Sequence, residues 1–239
     1  MSSAERRPED DQDRTPDAGD LEARLASCNE IELRHLLTVI RKRVLFHPLE
    51  ARFGAPAELI LGAIERASDF SRRGVLGLIA EASFEVNVVD QLNNWQSEPV
   101  SQTAPWDFQL RRNGKAVRVQ VKRQRLEMHE PKLYRRHPEL YVAETQRSRR
   151  GQDGEGGSTR PYRFGEFDIL AVSIQPVTKR WEDFRYAPQR WLIPRTNDAT
   201  ALDVLQPVAL KPNDDRTDSF TECVQRWIGG ETKVIRSRS

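Results

Sequence analysis

The sequence predicts an α/β protein, on three observations. Pro105–Gln124, PWDFQLRRNGKAVRVQVKRQ, alternates as a β-hairpin around Asn113-Gly114. Phe167–Ile174, FDILAVSI, has the continuous apolar centre of a buried central strand. Ahead of both, capping residues are followed by apolar residues at helical spacing.

In chain order, Met1–Asp20 is rich in charge and proline and nearly lacks large apolar side chains, so it cannot offset the entropy of ordering and is expected to be a disordered tail. A short helix is expected over Leu21–Cys28. A second takes Asn29 as N-cap with Glu32 at the capping-box position, turns Leu33, Leu36, Leu37, Ile40 and Val44 toward a core or interdomain contact, and ends at Pro48. Pro56–Ala67 reads as a third helix with proline near its first turn, completing a helical region over 21–70. Ser71 then looks like the cap of a long helix reaching about Asn93, apolar around so much of its circumference that it is expected to be largely buried. Glu81 and Glu85 are its polar exceptions. Four residues apart, they share a side, where a carboxylate either reaches solvent or, if buried, needs a cation or metal.

Trp95–Val100 is an expected strand, followed by the hairpin. A type I′ turn at Asn113-Gly114 dictates the register: Arg112 opposite Lys115, Leu110 opposite Val117, Phe108 opposite Val119 and Asp107 opposite Gln120. Alternation then puts Phe108, Leu110, Val117, Val119 and Val121 on one apolar face and Asp107, Gln109, Arg118, Gln120 and Lys122 on the other. Beyond the hairpin a helical piece is expected around Pro138–Gln146, then a glycine-rich basic loop over Ser148–Arg160. Phe184–Tyr186 and Trp191–Ile193 are short strand candidates. Asp218 or Ser219 can cap a helix over FTECVQRWI, stopped by Gly229-Gly230. The main domain is thus expected over 71–230, with a frayed basic tail over 231–239.

The 239 residues carry a formal net charge of only +2, but Arg111–Arg163 holds 15 Lys and Arg against 6 Asp and Glu. A concentrated positive segment in a near-neutral chain points to an anionic partner, most simply a nucleic acid backbone. Arg118, Arg123, Arg125, Arg149 and Arg150 are the candidate contacts. Cys28 and Cys223 match no disulfide framework or metal-ligand spacing and read as reduced thiols. His35, His47, His129 and His137 form no metal pattern, and there is no phosphate loop of the P-loop type. No apolar run is long enough to cross a bilayer, so a soluble cytoplasmic protein is expected.

The polar face of the hairpin is where chemistry is expected. Opposed Cβ atoms in such a pair lie about 5 Å apart and diagonal ones about 7–8 Å, so Asp107, Gln120 and Lys122 can converge on one ion or phosphate. A hard divalent cation takes oxygen ligands. Asp107 offers a carboxylate, Gln120 an amide oxygen, Val121 its backbone carbonyl, and Glu81 a second carboxylate if the long helix packs beside the hairpin. Lys122 is the remaining cation, able to orient or help deprotonate an attacking water or to stabilise charge on a phosphate.

Gly77-x-x-x-Glu81 on a helix, Asp107 opening a strand and Gln120-x-Lys122 ending its partner together resemble the PD-(D/E)xK nuclease superfamily of restriction endonucleases and Holliday junction resolvases. The Gln-x-Lys variant within VQVKR is similar to Mrr-type restriction nucleases. The close resemblance covers about Arg72–Gln124, and Phe164–Tyr186 matches loosely. It implies a restriction endonuclease-like core of mixed β-sheet flanked by helices. It also implies Mg²⁺-dependent cleavage of DNA phosphodiesters, with Mn²⁺ able to substitute, and Glu81, Asp107, Gln120 and Lys122 as the site. Two departures stand out: Trp106 separates Pro105 from Asp107, and Gln120 replaces an acid, which puts weight on Glu81.

The first functional reading is therefore a restriction or other defence endonuclease acting on double-stranded DNA. A repair or junction-resolving nuclease of the same fold is the alternative, and a catalytically silent DNA-binding module is a reading from another class. Cutting both strands of a symmetric site would favour a homodimer, although no interface stripe is legible.

Overall fold

The computed structural model describes residues 18–41, 43–44, 47–135, 137–147 and 161–235. The chain divides into two compact units, Met1–Ala67 and Ser68–Ser239. The sequence readings for residues 1–17, 148–160 and 236–239 lie outside the described residues.

The first unit holds α1 (Ala18–Ser27), α2 (Glu30–Arg41), α3 (Pro48–Phe53) and α4 (Ala57–Glu65). Asn29 starts α2 as expected: its Oδ1 accepts from the Ile31 and Glu32 amides, and its own amide donates to Glu32 Oε2 at 2.8 Å, closing a capping box. Pro48 does not mark the end of α2. The helix stops at Arg41, and Pro48 instead opens α3, where its missing N–H costs nothing and the His47 ring caps the Leu49 amide. The apolar stripe of α2 is not a core: none of its residues is buried, and Leu36, Leu37 and Ile40 are exposed. Periodicity shows that a helix is amphipathic, but it does not supply the surface that covers it.

The second unit opens with α5 (Asp69–Asn87), capped by Ser68 through the Ser71 amide rather than by Ser71 itself, and a 3-10 turn at Val89–Gln91 follows. Its main sheet runs in the order β1 (Gln96–Glu98), β2 (Phe108–Arg112), β3 (Lys115–Arg123), β7 (Ile169–Ser173), β8 (Phe184–Pro188), counting the short strands β4 (Leu126–Glu127), β5 (Glu130–Pro131) and β6 (Leu140–Glu144) in between. Neighbours are antiparallel except β3 and β7, which run parallel. The sheet is therefore mixed and flanked by helices, the class that the sequence predicts.

The hairpin has the expected register, with Phe108, Leu110 and Arg112 facing Val119, Val117 and Lys115. Asn113 and Gly114 both have positive φ, 49° and 76°. Gly114→Ala has open space for its Cβ but must hold a left-handed backbone, so we expect a loss of about 1 kcal/mol in urea unfolding. On one face of the sheet Leu110, Val117, Val119, Val121, Ile169 and Ala171 pack with Ala80 and Phe84 of α5 and with Phe220, Cys223 and Val224 of α7 (Phe220–Ile228). Phe84 is fully enclosed and meets Phe108, Phe184, Tyr186 and Phe220 at ring-centroid distances of 5.1–6.4 Å. This ring cluster seats α5 against the hairpin.

Burial of α5 is narrower than its composition suggests. Only Ala80, Ser83 and Phe84 are buried, while Phe70, Leu78 and Val86 are exposed, because the sheet covers a single stripe. The opposite face of the sheet is closed by Tyr162, Phe167, Leu170, Val172, Trp191, Leu192 and Val208.

Three further local readings are corrected. Pro138–Gln146 holds strand β6 rather than a helix, paired antiparallel with β11 (Leu205–Ala209), where Leu140 and Val142 alternate into a small core. Trp191–Ile193 is not a strand: Gln189–Trp191 is a 3-10 turn, followed by the pair β9 (Pro194–Arg195) and β10 (Asp198–Leu202). Residues 231–235 do not fray. The Glu231 carbonyl accepts from Trp191 Nε1 at 2.8 Å, Ile235 donates to the Trp191 carbonyl at 2.7 Å, and Lys233 lies over the Trp191 ring. Gln175–Thr178 (α6) is one short turn after β7. Both cysteines are free thiols, Cys223 buried and Cys28 partly so. No helix among the described residues is long and apolar enough to cross a membrane.

Candidate active site

Asp107 stands one residue ahead of β2, and its amide donates to the Val119 carbonyl at 2.9 Å, which carries the ladder one step further and turns its side chain toward Gln120. Asp107 Oδ2 accepts the Val121 amide at 2.7 Å and Gln120 Nε2 at 2.5 Å. The same Gln120 nitrogen donates to the Val121 carbonyl at 3.1 Å. Gln120 is 2% exposed, so its amide has little water to bond and is committed to these partners.

Glu81 lies on α5 beside Ala80, at the border of the stripe that packs on the hairpin, and is half-buried. Burial pushes its carboxyl up to about 7, the negative charge of Asp107 adds to this, and Lys122 opposes it. Asp107 is also raised by burial, with Lys122 and the Val121 amide working in the other direction. Glu85 is exposed. Of the two helix acids, Glu81 is the one that shares an electrostatic environment with Asp107 and Lys122.

Lys122 is partly buried on the same strand face as Gln120. Burial alone would lower its ammonium, but the Tyr162 phenol, Asp107 and Glu81 outweigh that and hold it above its ordinary value. It therefore stands as a cation and hydrogen-bond donor rather than a base. Glu81, Asp107, Gln120 and Lys122 come together here from a helix and two strands separated in sequence.

A hard divalent cation fits the donor chemistry of this group. Two mutually repelling carboxylates, the Val121 carbonyl and the Gln120 amide are grouped, and the amide nitrogen now bridges two oxygens. Oxygen and nitrogen of an amide exchange by a half-turn, after which three oxygens would face one another and require a cation. Among the described residues no group of three or more His, Cys, Asp and Glu could hold a metal ion, so the set depends on its amide and carbonyl oxygens.

The expected nucleic-acid contacts are placed differently from one another. The Arg118 amide, Nε and Nη2 all donate to Asp168 at 2.8–3.0 Å, and its guanidinium lies 5.2 Å from the Trp106 ring centroid. Arg118 thus braces the residue next to Asp107. Arg125 is paired with Glu144 at 2.8 Å. Arg123 bonds the neutral Gln175 amide oxygen and lies 5.9 Å from the Trp181 ring, so no carboxylate among the described residues neutralises it. Arg149 and Arg150 are outside the described residues.

Asp168 and Tyr162 are not singled out by sequence spacing. An acid heading the apolar FDILAV run was the available signal for Asp168, since a carboxylate there needs a partner. Tyr162 is legible only as an aromatic for core packing or base stacking. A separate cleft of about 370 Å³ opens at the turn end of the hairpin between Trp95, Arg112, Lys115, Val224 and Ile228. Strand rise puts Lys115 about 23 Å from Lys122, so this cleft is not part of the group.

No protein-family model matches the chain, and no curated protein is similar to it in sequence. Among solved structures, a bacterial homing endonuclease, I-Ssp6803I, is similar at a TM-score of 0.37 and 15% identity, covering 64% of this chain and 92% of that one. At that TM-score the likeness carries no inference about activity.

Proposed function

We propose that this chain is a metal-dependent endodeoxyribonuclease that hydrolyses phosphodiester bonds in double-stranded DNA, with a site of PD-(D/E)xK type in its Gln-x-Lys form. The observation that supports the reading is the hydrogen-bonded set of Asp107, Gln120 and the Val121 backbone at the hairpin's polar face, with Lys122 and Glu81 electrostatically coupled to Asp107. Asp107, Glu81, Gln120 and Val121 would hold Mg²⁺, or Mn²⁺ in its place. When bound, the ion supplies Lewis-acid polarisation of a phosphoryl oxygen and offsets developing negative charge. Lys122 donates hydrogen bonds to a non-bridging phosphate oxygen or to the attacking water and stabilises charge as it builds. Asp107 keeps this geometry through the Val121 amide, and Glu81, whose carboxyl burial raises to about 7, would supply the second carboxylate. Arg123, charged and unneutralised near the end of β3, would contact the phosphate backbone.

Restriction or other defence is the biological role we assign, on the resemblance of VQVKR to Mrr-type nucleases. The amide at position 120 specifically favours a second reading, a DNA-binding module without cleavage, because it leaves two carboxylates where a third would strengthen metal binding. One plasmid incubation with Mg²⁺ or Mn²⁺ separates the two. Nicking or linearisation that EDTA stops is the expected result, whereas salt-sensitive DNA binding without any cut product would favour the binding module.

A further inference from the structure

We propose that the cleft at the turn end of the hairpin binds an unpaired nucleotide, its phosphate on Arg112 and Lys115 and its base against Trp95; this site is separate from the Asp107 group and does not depend on the nuclease reading. The turn sets two cations face to face. Arg112 lies directly opposite Lys115 in the ladder, on the same side of the hairpin as Leu110 and Val117, and both cations are exposed. Like charges in opposed positions repel. Among the described residues neither forms an ion pair, and no Asp or Glu lines the cleft of about 370 Å³ that they share with α7. An anion bound by both would remove a repulsion that the fold leaves uncompensated.

The rest of the lining selects the anion. Val117 and Val224, both buried, and Ile228, 47% exposed, give the cleft apolar walls. Trp95 is half-buried, with its ring centroid 6.3 Å from that of Phe220 and the Arg112 guanidinium 5.8 Å from the indole. Indole and guanidinium planes are surfaces on which unstacked bases are held. Asn113 and Gln225 add side-chain amides, donors and acceptors for a base edge. Inorganic phosphate would leave the apolar walls unused, and a duplex keeps its base faces stacked on one another, out of reach of a cleft. An unpaired nucleotide uses both the cations and the walls. A second hollow adjoins the cleft across Trp95 and Arg112, lined also by Asn94, Gln96 and Gly114, so a neighbouring nucleotide of a strand has a place to lie. A free nucleotide and one within a strand offer the same chemistry.

The test is titration with a fluorescein-labelled oligothymidylate in EDTA, read by anisotropy, so that neither metal nor cleavage enters. Arg112→Gln/Lys115→Gln, two exposed changes expected to leave the thermal midpoint in place, should weaken binding about tenfold; Arg195→Gln/Lys211→Gln, which removes the same charge from exposed positions outside the cleft, should change it by less than about twofold. Unlabelled oligothymidylate should quench tryptophan emission in the parent, and Trp95→Phe should lose most of that signal. An abasic chain of the same length should bind about tenfold more weakly. Thymidine monophosphate that reproduces the quenching supports the site with a free nucleotide as its ligand, and quenching by the oligonucleotide alone supports it with a strand. Equal losses in the two double variants overturn the proposal, as does quenching undiminished in Trp95→Phe. Displacement of the label by polyglutamate as readily as by unlabelled oligothymidylate also overturns it and marks an acidic protein as the partner. No readout involves cleavage, so failure of the nuclease reading leaves this result untouched.

Discussion

Lys122→Met and Asp107→Asn are each expected to lower plasmid cleavage by about a thousandfold or more, while the Kd for duplex DNA stays within about threefold. Both side chains lie on the polar face of the hairpin, opposite the Val117, Val119 and Val121 row that packs on α5 and α7. Methionine matches the length of the lysine stem, so the sheet can close around it. Asparagine keeps an oxygen that can accept the Val121 amide, now bonded to Asp107 at 2.7 Å. What each variant loses is charge: the ammonium that, on the proposed reading, would donate to phosphate, or the carboxylate that would bind a cation. On the proposed reading neither is needed for the long-range attraction of DNA, for which the basic segment would be the source. Cleavage rates and filter-binding affinities at fixed salt check both halves of the expectation. Parental cutting rates in both variants would sink the site assignment.

Glu81→Gln is expected to stabilise the metal-free protein at pH 8 by on the order of 1–2 kcal/mol, after allowing for the screening of a half-exposed group. The sign follows from its raised carboxyl. Below the ordinary value of 4.5 both folded and unfolded chains hold the proton, and stability is unaffected. Between 4.5 and about 7 the folded chain keeps the proton that the unfolded chain has lost, so stability declines as pH rises. Above that range the folded carboxylate remains in an environment shaped by burial and by Asp107. Glutamine is neutral throughout, so the gap between variant and parent should be absent near pH 4 and open fully by pH 8. Urea midpoints in the presence of a chelator measure it, and parallel curves at both pH values would remove Glu81 from the Asp107 environment. The same variant should lose cleavage, the usual exchange of stability for function at a charged site.

The local part of the site was legible because a two-residue turn leaves little freedom. Asn113-Gly114 dictates which residues oppose, and alternation dictates which share a face, so Asp107 and Gln120 meet without reference to anything distant. The buried strand at Ile169–Ser173 and the cap at Asn29 were readable for the same reason, since turn, cap and alternation signals act over a few residues. Where partners come from far along the chain, the same signals misled. Leu140 and Val142 belong to a strand because β11, some sixty residues later, is there to pair with it. Arg118 shares the polar face but is taken by Asp168, and the apolar excess of α5 remains partly exposed because only one stripe meets the sheet.

By itself, the sequence determined the class of fold, the hairpin and its register, and the residue types able to serve a cation and a phosphate. Only the tertiary structure put Glu81 rather than Glu85 in the electrostatic environment of Asp107 and Lys122, through the placement of α5 by the Phe84 ring cluster, and only it brought the Tyr162 ring near Lys122. Hydrogen-bond register is a property of neighbouring backbone and is written locally. The ionisation and aim of a side chain depend on everything packed around it, and for Lys122 that environment comes from α5, from both strands of the hairpin and from Tyr162.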